Sequence, residues 1–227
     1  MLITTHYKKI YSQYGEEGII EYFIDKLSLK HIQCCEFGMN SKTNSNTFYF
    51  IENYNSYGVY IEQKENKLSE LIRDNTIVIN KKVEKNGSNT LDNILKETKL
   101  VKDFDILSID IDNEDYHIWD SLKHYEPKIV IIEINPFIEL GREYIYDGSL
   151  FSSSFTSTVN LGEQKGYTLV CMTGNLIFVK TSILKKNNLD HLVNVDPNKY
   201  FLNDAFVRPE NRQKIDFRRY NKPNNII

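Results

Sequence analysis

Three cysteines are too few for a disulfide framework. Cys34, Cys35 and Cys171 also form an odd set, which leaves one thiol unpaired under any pairing. All three stand in apolar, strand-like stretches, so they read as buried reduced thiols, and that places the chain in the cytoplasm. No apolar run approaches the roughly 20 residues of a membrane-spanning helix. The opening residues, Met1 to Lys9, lack the apolar core of a signal peptide. Neither sign of charge is in excess: 28 Lys and Arg stand against 31 Asp and Glu, a formal net charge of −3. Nothing global therefore calls for nucleic acid or a membrane surface as partner. The five histidines show no ligand spacing, which sets zinc aside. No Gly-x-Ser-x-Gly or Cys/His arrangement points to nucleophilic catalysis. Glycine is scarce where it would matter most. Gly38 stands alone in a turn where three glycines would cradle a diphosphate.

What is present is a succession of short apolar runs ending in acids. Within Asp105–Asn135, Ile106, Leu107 and Ile109 lead into Asp110 and Asp112, and Ile129 to Ile132 lead into Glu133 and Asn135. Continuous apolar runs suit strands buried on both faces of a parallel sheet. Between them Ile118, Leu122 and Tyr125 fall at helical spacing, and Pro127 ends the segment. Such a strand–helix–strand unit makes the strands parallel. Ligands of open parallel sheets sit outside the carboxyl ends of the strands, so Asp110, Asp112, Glu133 and Asn135 are expected at one edge. One such acid is an ordinary helix cap. Of these four oxygen-bearing side chains three are carboxylates, and like charges held close raise one another's pKa unless a positive charge is near, which marks the group as a candidate site.

The 227 residues suffice for one large domain or two small ones. An entry segment with a turn at Gly15 leads into a helix over Ile19–Leu27. Strands follow at Gln33–Phe37, Tyr57–Ile61 and Thr76–Ile79, with helices at Thr47–Asn53, Lys64–Arg73 and Thr90–Thr98. After Asn135 a loop to about Ser153 sits where a lid would be. A helix over Phe155–Lys165 precedes two strands, Tyr167–Met172 and Leu176–Lys180, joined by Thr173-Gly174-Asn175, a hairpin signal. Strands alternating with helices, then a hairpin, give an α/β three-layer sandwich. Residues 1–188 form this domain, with 1–30 as a helical entry. Residues 189–227 form a polar tail or flap holding Arg208, Arg212, Lys214, Arg218, Arg219 and Lys222.

Glu36-Phe37-Gly38 and Glu62 make a second constellation. The first strand of a nucleotide-binding unit ends in a glycine turn, and an acid ending the second strand accepts ribose hydroxyls. Glu62 follows Gly38 by 24 residues, near the roughly 20 of that arrangement. A nucleoside without a diphosphate tolerates the poorer loop. S-adenosylmethionine is one, and its cationic end would be drawn to Glu36 or Asp110.

Several blocks resemble the FkbM-like branch of class I S-adenosylmethionine-dependent methyltransferases. They are Ser12-Gln13-Tyr14-Gly15-Glu16-Glu17-Gly18, then Glu36-Phe37-Gly38 with Ser45-Asn46-Thr47, then Tyr57 to Glu62. Leu107-Ser108-Ile109-Asp110-Ile111-Asp112 pairs with Ile132-Glu133-Ile134-Asn135-Pro136, and Lys165 to Val170 with Asn175 to Val179 closes the set. The resemblance implies a Rossmann-like seven-stranded sheet, mostly parallel, with its last strand antiparallel. It implies S-adenosylmethionine bound by Glu36, Gly38 and Glu62, with Gln13, Asn46, Ser108 and Asp110 in the cofactor region. It also implies a sugar or glycan-precursor hydroxyl as acceptor. Asn113 stands where that family usually has glycine, and Ser152-Ser153-Ser154 replaces a Gly-Ala-Ser-like turn.

Methyl transfer to a hydroxyl needs alignment and removal of a proton. Asp110, Asp112 or His117 is the candidate base. Asp112, Glu133 and Asn135 are the candidate ligands of Mg²⁺ or Mn²⁺, since carboxylates and an amide oxygen suit those ions. Two other readings stay open. Asp110-Ile111-Asp112 is also an Asp-x-Asp pattern, as in a metal-dependent glycosyltransferase, and the chain would equally serve as an inactive methyltransferase-like scaffold. The expected partner is a small-molecule or glycan acceptor, with a second copy of the chain possible.

Overall fold

A computed structural model describes residues 6–39, 41–64 and 69–201. Seven strands form one sheet: β1 Ile32–Phe37, β2 Ser56–Ile61, β3 Thr76–Ile79, β4 Ile106–Ile109, β5 Ile129–Ile132, β6 Tyr167–Met172 and β7 Leu176–Lys180. Their order is β3-β2-β1-β4-β5-β7-β6. Strands β1 to β5 pair in parallel, and β7 inserts antiparallel between β5 and β6. This is the mostly parallel, Rossmann-like sheet with an antiparallel closing strand that the resemblance implied.

Helices α1 Glu16–Lys26, α2 Phe48–Asn53, α6 Thr181–Lys186 and α7 Asp190–Val193 supply one side of the core. Helices α3 Leu91–Leu95, α4 Asp115–Ser121 and α5 Phe155–Gln164 supply the other. Alternation along each strand divides the residues between them. Cys34, Ile106, Ile129, Ile131 and Ile177 join Phe23 and Phe50 on the first side; Cys35, Leu107, Val130, Ile132 and Phe178 join Ile94 and Trp119 on the second. Both faces are buried, which is why the strands read as unbroken apolar runs. All three cysteines are buried and free. No described helix is long and apolar enough to cross a membrane.

Three expected elements differ. The helix read through Tyr125 ends at Ser121, because the Asp92 carboxylate on α3 accepts hydrogen bonds from the backbone N–H groups of Lys123 (2.8 Å) and His124 (3.0 Å). Those donors bind a side chain, so the chain leaves the helical path. Of the helix read over Lys64–Arg73, only a 3₁₀ turn at Ser69–Leu71 is formed among the described residues, and 65–68 lie outside them. Beyond Leu189 the chain forms α7 and a 3₁₀ turn, Pro197–Tyr200. Leu192 is buried there, and Phe201 meets the Phe155 ring at 5.0 Å between centroids. Arg208, Arg212, Lys214, Arg218, Arg219 and Lys222 lie outside the described residues.

Two buried acids fasten the entry segment to this frame. Glu17 accepts backbone N–H bonds from Tyr11 (2.5 Å) and Ser12 (2.6 Å). Glu16 accepts from the Tyr14 N–H (3.0 Å) and the Thr173 hydroxyl (2.6 Å), which ties the segment to the β6–β7 turn. Gly18 lies under the same segment, where an added Cβ would fall 1.8 Å from the His6 carbonyl oxygen. Alanine normally favours a helix over glycine by about 1 kcal/mol, but this overlap reverses the sign. Gly18→Ala should destabilise the protein by about 1–3 kcal/mol, the usual cost of overpacking, seen as a lower urea midpoint at unchanged m value.

Candidate active site

The carboxyl ends of β1, β2, β4 and β5 meet as the parallel order requires, and each brings an acid. Glu36, on β1, is buried and accepts five hydrogen bonds. Its Oε1 takes the Asn46 N–H (2.7 Å) and the Ser108 hydroxyl (3.2 Å); its Oε2 takes the Ser45 hydroxyl (2.5 Å), the Thr47 N–H (3.2 Å) and the Thr47 hydroxyl (2.7 Å). Asn46 Nδ2 donates to Ser108 Oγ at 3.1 Å. Glu36, Asn46 and Ser108 are thus brought together as a closed buried network that shapes the loop before α2. Burial still pushes the Glu36 carboxyl above its ordinary range despite those donors.

Gly38 follows at φ 86°, and an added Cβ would fall 1.6 Å from the Asp110 carbonyl oxygen. Only glycine permits that approach between the ends of β1 and β4. Asp110 then leads into a tight turn in which Asp112 has φ 58° and Asn113 φ 110°. The Asp115 carboxylate holds this turn, accepting the N–H groups of Ile111 (2.9 Å) and Asn113 (3.0 Å). Asp115 carries no role in the sequence reading. The cue for it is an acid three residues after Asp112, at the start of a helix.

Two cavities flank the turn. The larger, about 290 Å³, is lined among others by Gly38, Glu62, Lys82, Asp112 and Tyr146. The smaller, about 50 Å³, is lined among others by Gln13, Tyr14, Asp110, Glu133, Phe137 and Asn175. Glu62 ends β2 as a buried carboxylate with one oxygen accepting the Lys64 N–H at 2.8 Å. Glu133 ends β5, and its Oε2 is buried without a hydrogen-bond partner. The turn divides the predicted residues, with Gly38, Glu62 and Asp112 on one side and Gln13, Asp110 and Glu133 on the other.

Two predicted residues are held elsewhere. His117 Nε2 lies 2.7 Å from the Tyr146 carbonyl oxygen, in the loop after β5, and lines neither cavity. Asn135 donates through Nδ2 to the Phe151 carbonyl (2.6 Å) and accepts the Phe137 N–H through Oδ1 (3.0 Å). With that amide engaged, Asp112, Glu133 and Asn135 do not converge as the expected metal set. Among the described residues no group of three or more His, Cys, Asp or Glu side chains is arranged to hold a metal ion. Asp110 and Asp112 open on different cavities, so the Asp-x-Asp pattern does not present both acids to one ligand atom.

Electrostatics set the remaining acids apart. Burial, then the charges of Asp115 and Asp112, push Asp110 well above the carboxylate range. Burial, then Asp110, Asp115 and Asp112, do the same to Glu133. Burial raises Asp115 to about 6 against the opposing pull of its backbone donors. Among the described residues none of these acids forms an ion pair with Lys or Arg. The cluster therefore lacks a positive charge that a ligand would supply.

The family model described as "Methyltransferase FkbM domain" matches residues 5–169. The chain belongs to that family, and the family implies S-adenosylmethionine as methyl donor. Among solved structures, the Precorrin-6y C5,15-methyltransferase of Geobacter metallireducens GS-15 is similar at 12% identity and TM-score 0.44, over 77% of this chain and 92% of that one. A search of curated proteins returns no match.

A carboxyl raised on folding binds more protons in the folded than in the unfolded state, between its unfolded and folded values. Stability then falls as pH rises through that interval. For Asp110, Glu133 and Asp115 the interval begins at an unfolded value of about 4 and extends to about 6 for Asp115 and further for the other two. The ligand-free protein should melt at a higher temperature at pH 5.5 than at pH 7.5. Asp110→Asn should raise the pH 7.5 value by a few degrees, about what 1 kcal/mol gives at this size. Melting curves at both pH values check this.

Proposed function

We propose that this chain transfers a methyl group from S-adenosylmethionine to a hydroxyl of a sugar or glycan precursor. The observation that supports this best is the pair of cavities flanking the Asp110–Asp112 turn. One is large enough for a nucleoside and carries a strand-end carboxylate. The other is small and is lined by the Asp110 and Glu133 side of the turn. The residues fit the cofactor, because a buried acid cluster without a counter-cation suits a ligand with positively charged centres. When bound, S-adenosylmethionine supplies an electrophilic methyl group on a sulfonium centre.

Each residue then has a task. Glu62 accepts hydrogen bonds from the ribose hydroxyls, and Gly38 lets the backbone come close to the nucleoside. Asp112 faces the cationic end across the larger cavity. Gln13 and Asp110 orient the acceptor hydroxyl in the smaller one, and the Glu133 carboxylate takes its proton. Positive charge next to the cluster lowers the raised carboxyls, which favours the ionised form of Glu133 once the larger cavity is filled. The acceptor class rests on the family resemblance and on the polar and aromatic collar of Gln13, Tyr14, Phe137 and Asn175.

Thermal-shift titration with S-adenosylmethionine and S-adenosylhomocysteine should show stabilisation, by about 2.7 kcal/mol at 100 times the dissociation constant. UDP-sugars with Mg²⁺ should give none. The reverse pattern would remove the methyltransferase reading. Tight adenosyl binding with no methylated product across a panel of sugar hydroxyls would instead leave a binding scaffold. Glu133→Gln should lower kcat by about 10²- to 10⁴-fold, the usual contribution of general-base catalysis, while S-adenosylhomocysteine affinity stays within a few-fold. Comparing turnover with binding for this variant checks the assignment.

A further inference from the structure

His117 is the one predicted catalytic residue that the fold turns away from both cavities, and what it holds is informative. The loop between β5 and α5 stands where a lid was expected. It is fastened by seven hydrogen bonds. Asn135 takes the Phe151 carbonyl (2.6 Å), and its own N–H donates to the Ser153 carbonyl (2.8 Å). Ser152 N–H donates to Asn113 Oδ1 (3.2 Å), on the turn that carries Asp112. Tyr144 N–H is held by the Ser154 and Ser157 hydroxyls (3.1 and 2.9 Å), and Tyr146 N–H by the Ser153 hydroxyl (2.9 Å). His117 completes the set from α4, at 2.7 Å from the Tyr146 carbonyl.

Tyr146 is the residue of this loop that lines the larger cavity, together with Glu62 and Asp112. Both of its main-chain polar groups are engaged, the N–H by Ser153 and the C=O by His117. A carbonyl only accepts, so His117 Nε2 carries the proton. We infer that His117 is a positioning residue: through the Tyr146 carbonyl it fixes the wall of the cofactor cavity, and so sets cofactor affinity without touching the cofactor. This rests on the cofactor occupying the larger cavity, as proposed above. A wall fixed before binding costs no ordering when the ligand arrives, so releasing it should appear as lost affinity.

The test is calorimetric binding of S-adenosylhomocysteine to the full chain and to two His117 variants. If the wild type binds neither adenosyl compound, the functional reading itself fails. Given wild-type binding, His117→Ala should weaken it about tenfold, the equivalent of roughly 1.4 kcal/mol. His117→Gln, whose amide N–H can reach the same carbonyl, should recover most of it. Unchanged affinity in His117→Ala overturns the inference, and so does an equal loss in both variants. Should His117→Ala fail to fold, Ser153→Ala cuts the other tie of Tyr146. It is expected to weaken binding in the same direction, and unaltered affinity there also overturns the inference.

Discussion

A carboxylate carried out of water at the end of a parallel strand needs donors, and the organisation of this molecule follows from where those donors are found. Glu36 finds five within the chain. Glu16 and Glu17 find theirs in the entry segment and the hairpin turn. Asp115 finds two backbone amides. These four act as brackets, since each charge is stabilised by ordering the segment that donates to it. Asp110 and Glu133 sit in the same low-dielectric edge and are raised by burial and by their neighbours. The two groups differ in their donors rather than in burial or in the direction of the shift, since burial raises Glu16, Glu36 and Asp115 as well.

How far this was legible depends on the range of the interaction. The strands declare themselves locally: Ile106–Ile109 and Ile129–Ile132 are apolar throughout because both faces are covered, and the parallel rule then brings Asp110 and Glu133 to one edge. Glu62 follows from the spacing after Gly38. Other roles have no local signal. Glu16 meets Thr173 across 157 positions of sequence, so no neighbouring residue marks this acid as a bracket for the far hairpin. Asp92 ends α4 early from a different helix. His117 follows the acids on α4 and so looked like a base, yet its ring nitrogen reaches a carbonyl in a loop 29 residues on. Asn135 looked like a ligand because it follows the Ile129–Ile132 run, and its amide bonds Phe151 and Phe137. Strand ends and spacing gave position; what each side chain is bonded to was decided by pairings the sequence does not order.

The two departures from the family's glycines bear on how the site is held. Asn113 has φ 110° and Ser152 has φ 43°, conformations that glycine adopts without strain. Non-glycine residues in such regions persist where their surroundings over-determine them, at a cost on the order of 1–3 kcal/mol each. Here the strained residues are bonded to each other, Ser152 N–H to Asn113 Oδ1. Asp115 holds the Asn113 N–H from beneath. An asparagine in place of glycine therefore supplies a side-chain acceptor that glycine lacks, and that acceptor joins the Asp110–Asp112 turn to the loop after β5. The strain and the link are one arrangement. It fixes the turn from which Asp110 and Asp112, two residues apart, open on different cavities.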